Sequence, residues 1–243
     1  TTLEDILINC EAFYHPKNLI LTVVGDFDEA KLVEFVNSYL DKYNFPDHNV
    51  ISLANIRNIT VDEEIKVLKK NNTAGKFSLG IRLDRLNDYN PFDTLYYDFI
   101  LGILSSDSSK IYQKLINNEV INPGVYYEIH SNKDLAYALL IGTANNPIKA
   151  VNQLKKTIKE LKLSDLNIDD FNNFKKYTYS YQLANFDNIQ ALGEMVSDYD
   201  IDDIDFFLNF NDFRNIEFTQ INKYLDNFKN AKISATVIEN SLK

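Results

Sequence analysis

The stretch Phe13-Tyr14-His15-Pro16-Lys17-Asn18-Leu19-Ile20-Leu21-Thr22-Val23-Val24-Gly25-Asp26-Phe27-Asp28 packs a helix end, a strand and the start of a second helix into one short segment. Pro16 cannot continue a helix and biases the residue before it towards extended backbone. The apolar run Leu19 to Val24 stops at Gly25-Asp26, and Asp26 or Asp28 can cap the second helix. A chain built this way mixes helices and strands. Only 7 Gly and 5 Pro interrupt 243 residues, so long regular elements are expected, and 16 Phe, 15 Tyr and no Trp put the packing mass in phenyl rings. At 45% hydrophobic, the chain can bury a sizeable core as one large domain, or one domain plus a fragment.

Periodicity orders the rest. The spacing of Leu3, Ile6, Leu7, Cys10 and Phe13 predicts a helix over 2–14 with one apolar face, and Thr2-x-x-Asp5 reads as a capping box. A second helix is expected from Asp26 or Asp28 to about Tyr43, with Leu32, Val33, Phe35, Val36, Tyr39 and Leu40 as its stripe. Residues 44–61, with Pro46, His48, Asn55, Arg57 and Asn58, show no period and read as a linker. Two alternating strands come next, 64–69 and 76–83, and the spacer Asn71-Asn72-Thr73-Ala74-Gly75 has the chemistry of a hairpin turn. Pro91 opens a helix carrying Leu95, Tyr96, Phe99, Ile100 and Ile103, and the serine corner 105–109 can cap a short helix over 110–118.

After the turn Asn122-Pro123-Gly124, strands 125–130 and 135–143 form a second hairpin across Ser131-Asn132-Lys133-Asp134. Its second strand is apolar on both faces and should be central. Beyond Pro147 the pattern is helical to about Leu225, broken near Ser164-Asp165 and 198–203, with a last helix over 218–228 and a strand over 232–238. This order predicts an α+β fold, a mostly antiparallel sheet of five to six strands packed against several helices.

An internal repeat divides the chain. Ile6, Phe13 and Thr22-Val23-Val24 correspond to Ile221, Phe228 and Thr236-Val237-Ile238, so both ends read as a helix followed by a terminal strand. On that reading residues 1–45 are the tail of a first repeat, 46–60 a linker, and 61–243 a complete second repeat. Strand 19–24 then belongs to a sheet whose other strands lie elsewhere, and its apolar edge invites pairing, including self-association. Thr1, with no initiator methionine and no leader-like segment, reads as a cut point inside a longer protein.

Charge and cysteine use bound the partners. With 25 basic and 35 acidic residues the net charge is −10, which argues against nucleic acid and anionic membrane and suits a basic or neutral peptide. The single cysteine, Cys10, precludes an internal disulfide and fits a reducing, cytoplasmic setting; it reads as a small apolar helix residue. No run approaches the roughly 18 apolar residues of a spanning helix.

Catalytic chemistry is not legible. Zinc ligation of the inverzincin type uses His-x-x-Glu-His on a helix with a distant Glu. His15, His48 and His130 each lack a second His or Glu at that spacing, so no catalytic, cofactor-binding or metal-binding residue is assigned. No Gly-x-Ser-x-Gly elbow and no Gly-Lys-Ser/Thr phosphate loop occurs. The acidic run 198–205 lacks the Gly and terminal Glu of a calcium loop and reads as a solvated helix face.

The segment from Phe13 to Asp28, a Tyr-x-Pro-x-Asn turn leading to a strand that ends Gly-Asp, resembles the close of the first repeat in the insulinase/pitrilysin family of zinc peptidases. Leu101-Gly102-Ile103-Leu104 followed by Ser105-Ser106-Asp107-Ser108-Ser109-Lys110-Ile111-Tyr112-Gln113-Lys114-Leu115 looks like that family's second-repeat signature. Abundant Asn, Ile and Lys bring the resemblance closest to the insulinase-like peptidases of low-GC bacteria.

The resemblance implies the C-terminal portion of a zinc metalloendopeptidase, inert alone. It would form chamber wall and closure surface for a peptide substrate, with zinc held by residues upstream of Thr1. It also implies a missing N-terminal half and a homologous subunit as partners. The family's Leu-Arg-x-x-x-x-Leu-Gly-Tyr segment is altered here: Ile116 stands where the Arg would be, and Tyr126 and Tyr127 come after a changed turn. An alternative of another class is a non-catalytic partner or scaffold subunit of the same fold. A third is an unrelated α+β binding module. A His-x-x-Glu-His motif upstream of Thr1 would mark the peptidase.

Overall fold

The computed structural model describes residues 1–42, 65–71, 74–83, 90, 92–132 and 135–240. Linker 46–60 with His48, Pro91, and parts of both turn spacers lie outside them. The chain divides into two compact units, Ala54–Tyr179 with Asn211–Lys243, and Thr1–Leu53 with Ser180–Phe210.

The larger unit is built on a five-stranded mixed sheet in the order β1-β5-β2-β4-β3. Its strands are β1 (Ile65–Lys70), β2 (Gly75–Arg82), β3 (Tyr126–Ser131), β4 (Ala136–Ala144) and β5 (Ile233–Asn240). The expected α+β class and mostly antiparallel sheet hold, and β1 alone pairs in parallel, with β5. β3 and β4 form the predicted hairpin. β4 lies inside the sheet as expected, with Ala138 and Leu140 fully buried.

One pairing departs from the sequence expectation. β1 and β2 do not form a hairpin, because β5 inserts between them. Ile233, Ala235 and Val237 of β5 are buried, and that apolar row gains two neighbours in the interior of the sheet instead of one at its edge. β1 and β2 thus run antiparallel to each other on either side of β5.

Strict alternation along β2, β4 and β5 buries one face. On that face α5 (Pro147–Glu160) packs against β2, β4 and β5, α3 (Asp93–Gly102) against β3, and α10 (Ile221–Asn230), which follows the short α9 (Asp212–Asn215), against α3 and α5. Asn146 caps α5 through the Lys149 N–H, and Ser109 of the serine corner caps α4 (Lys110–Asn117) through the Tyr112 N–H. Phenyl rings fill the helix layer, as the composition implied. Tyr96 stacks on Tyr224 with centroids 4.2 Å apart, and Phe171 of α6 (Ile168–Ala184) meets Phe99 at 5.1 Å. The buried hydroxyls are satisfied: Tyr224 donates to Asp93 Oδ1, and Tyr96 Oη accepts the Glu217 N–H. Burial holds both phenols above their ordinary pKa.

The smaller unit contains α1 (Leu3–Phe13), α2 (Glu29–Leu40), α7 (Ile189–Asp200) and α8 (Phe206–Asn209). The capping box is present, with the Thr2 N–H 2.7 Å from Asp5 Oδ2 and the Asp5 N–H 3.2 Å from Thr2 Oγ1. Asp28 caps α2 through the Lys31 N–H. The predicted strand 19–24 has no ladder among the described residues; instead Thr22 Oγ1 lies 2.7 Å from Ser197 Oγ of α7. A strand exists only by pairing, and no described strand of this unit offers an edge.

Two other expectations are revised. The acidic run is not one helix face: α7 ends at Asp200, Asp203 turns through φ 60°, and Asp205 caps α8. The helical region is also broken at a 3-10 turn, Asn185–Asp187, where Phe186 joins Phe206 and Phe210 at centroid distances of 6.0 and 5.0 Å.

Candidate functional site

The sheet has a second face that α3, α5 and α10 leave uncovered. Its rows come from the register: Lys66, Thr236, Ser78, Ile141 and Tyr126 lie across the strands in one line. Leu68, Ile238, Lys76 and Thr143 form the next, with Lys70 beside Asn240. On the other side Gly80, Leu139 and Glu128 make one row, and Arg82, Tyr137 and His130 another. Leu68, Ile238, Leu139 and Ile141 thus share this face with Thr236, Ser78 and Gly80, and its lysines are Lys66 and Lys70 on β1 and Lys76 on β2. His130 stacks on Tyr137 at 4.9 Å and has Nε2 3.5 Å from Glu128 Oε2.

This geometry separates the two tyrosines that the sequence marks. Tyr126 stands on the uncovered face and is 52% exposed. Tyr127, one residue later, points to the helix side, where its hydroxyl donates to Asp98 Oδ1 at 2.5 Å. Burial raises the Asp98 pKa, an effect the Tyr127 hydrogen bond partly offsets. Burial, then the nearby Asp98 charge, raises that of Tyr127. Both line a cleft of about 560 Å³ with Ser106, Ser108, Lys110 and Asp170. Ile116, at the position of the family's Arg, is a half-buried residue of α4 and brings no charge.

The histidines do not assemble a metal centre. Among the described residues no group of three or more His, Cys, Asp or Glu could hold an ion. His15 is buried, and its Nδ1 accepts the Lys17 N–H at 3.2 Å while capping the turn Pro16–Asn18. Its role there is local, closing α1 and opening the extended segment 19–24. Cys10 is exposed on α1. The described residues therefore do not fit zinc. What the sequence reading missed is the lysine cluster: Lys66 and Lys70 share one parity on β1, a period-2 signal hidden when charges are summed over the chain, and the register through β5 puts Lys76 on the same face.

A family model described as the peptidase M16 inactive domain matches residues 1–177. The chain belongs to that family. It is the insulinase-type family that the segments 13–28 and 101–115 resemble, and the match is to its inactive rather than its metal-bearing domain. Among solved structures this M16 chain is similar to a protease from Helicobacter pylori, with 16% identity and a TM-score of 0.72 over 98% of this chain and 59% of that one. It is also similar to the periplasmic protease PqqL from Escherichia coli, at 13% identity and a TM-score of 0.63 over 99% of this chain and 28% of that one. A third likeness is to the peptidase M16 inactive domain from Pseudomonas fluorescens, at 13% identity and a TM-score of 0.53 over 72% of this chain and 43% of that one.

At these identities the likeness shows the fold. The chain spans 51% to 59% of the length of the solved chains it matches first. Compared with the curated proteins it finds no match. No described helix is long and apolar enough to cross a membrane.

Proposed function

We propose that this M16 inactive domain supplies the non-metal wall and closure surface of a peptidase chamber, whose zinc is held by a separate M16 domain. The observation that carries the reading is the family match, which reaches residue 177 and names a domain without catalysis. The uncovered sheet face, which mixes apolar, hydroxyl and charged side chains, suits a wall that holds extended peptide while leaving the chemistry to the partner.

The reading includes a division of the chain: residues 1–45 close a first repeat, 46–60 link, and 61–243 make the second. It is supported by a contrast between two similar helices. In α10, Ile221 and Phe228 are buried; in α1 the corresponding Ile6 and Phe13 are 51% and 55% exposed. The preferred partner is thus the first half of an M16 peptidase, covering α1 and extending 19–24 into a sheet, with a homologous subunit closing the chamber. Self-association through 19–24 competes when that half is absent. The single Cys10 supports a cytoplasmic setting.

The test is reconstitution. The chain is mixed with the zinc-bearing first half of the same polypeptide, and hydrolysis of an internally quenched peptide is followed. Neither part alone should cleave, and the mixture should cleave at least a hundredfold faster than the first half by itself. Full activity of the first half alone, unchanged on mixing, would refute the chamber-wall reading.

A further inference from the structure

The net charge of −10 describes the chain as a whole and misdescribes the uncovered sheet face. Among the described strand residues, that face carries Lys66, Lys70, Lys76 and Arg82 against the carboxylate of Glu128, so in an acidic protein these residues make it locally basic. Glu128 already faces His130. Lys66, Lys70 and Lys76 enter no ion pair among the described residues, and all three are exposed. Their charges are available to a ligand.

Strand geometry sets what that ligand looks like. Lys66 and Lys70 are four residues apart on β1, about 13 Å at about 3.3 Å per residue, with Leu68 midway on the same face. Leu68 lies beside Ile238, and Ile238 beside Lys76. An extended peptide with carboxylates at positions i and i+4 and an apolar residue at i+2 reproduces that spacing in complementary chemistry. A peptide with basic residues at those positions meets like charge.

We infer that the uncovered face binds extended acidic peptides, with Lys66, Lys70 and Lys76 as the residues that select carboxylate side chains over basic ones. The inference rests on the chamber-wall reading, since it names the peptide class for the same face, and it reverses the partner sign that net charge suggests. Direct binding to the isolated chain keeps its test separate from reconstitution.

Fluorescence anisotropy with a labelled peptide of repeating Glu-Ser-Leu-Ser-Glu pattern, and its counterpart with Lys for Glu, reads the selectivity. The acidic peptide should bind at least tenfold more tightly than the basic one, and more weakly as salt rises. Lys66→Glu/Lys76→Glu should lower acidic-peptide affinity at least tenfold. Lys156→Glu/Lys159→Glu, the same charge change on α5 in the helix layer, should leave it within twofold. Equal binding of both peptides, equal loss in both double variants, or no binding of either peptide to the wild type would each overturn the inference. Cleavage by the reconstituted enzyme would stand in any of these cases.

Discussion

Replacing Phe171 by alanine will lower unfolding free energy by about 3–5 kcal/mol, the range for an aromatic removed from a close-packed core. Phe171 is fully buried, and its ring meets Tyr96 at 6.1 Å, Phe99 at 5.1 Å and Phe218 at 5.5 Å. It therefore ties α6 to α3 and to the turn preceding α10, elements far apart in sequence. Its removal leaves a cavity bounded by rigid rings, which cannot collapse as an aliphatic lining can. Guanidinium unfolding will show the lowered midpoint with little change in slope. Phe171→Leu, which keeps most of the volume, should cost less than about 1.5 kcal/mol. A loss below about 1 kcal/mol for the alanine variant would mean the ring cluster does not anchor α6.

The second large effect comes from adding a single carbon. Gly142 lies on the buried face of β4, paired with Phe77 of β2. A Cβ there would come within 2.7 Å of both Phe77 Cζ and Val125 Cγ2. Neither neighbour can retreat easily: Phe77 is 2% exposed and Val125 5% exposed. Gly142→Ala should cost about 1–3 kcal/mol by overpacking. Phe77→Leu, destabilising alone, should relieve part of that cost in the double variant, a coupling a double-mutant cycle measures. Strict additivity of the two changes would contradict the predicted contact.

These packing details were only partly legible in the sequence. The capping box at Thr2, the caps at Asp28 and Ser109, and the β3–β4 hairpin could be read directly because each rests on residues close together in the chain. The position of β5 between β1 and β2 could not, since turn chemistry at 71–75 favours the local hairpin and the competing partner lies at the far end of the chain. The helix-strand pattern recurs at both ends, yet among the described residues it becomes helix plus ladder only at 221–240. Residues 19–24 have the same β-branched character and no described edge to join, so composition alone overpredicts strand there.

The candidate site was legible by parity and hidden by summation. Counting charges gave an acidic chain and a basic or neutral partner, whereas counting every second residue of β1 puts Lys66 and Lys70 on one face, which the register through β5 extends to Lys76. The same parity distinguishes Tyr126 from Tyr127, which the motif resemblance treated together. Tyr127 spends its hydroxyl on Asp98. Tyr126 stands exposed on the uncovered face.

If this M16 domain is the half that does not hold metal, elemental analysis of the purified chain, after incubation with excess zinc and exhaustive dialysis, will show it directly. Zinc should be found well below one ion per chain, and the chain alone should not cleave a quenched peptide. One zinc per chain that survives dialysis and is lost on His15→Ala or His130→Ala would contradict the assignment.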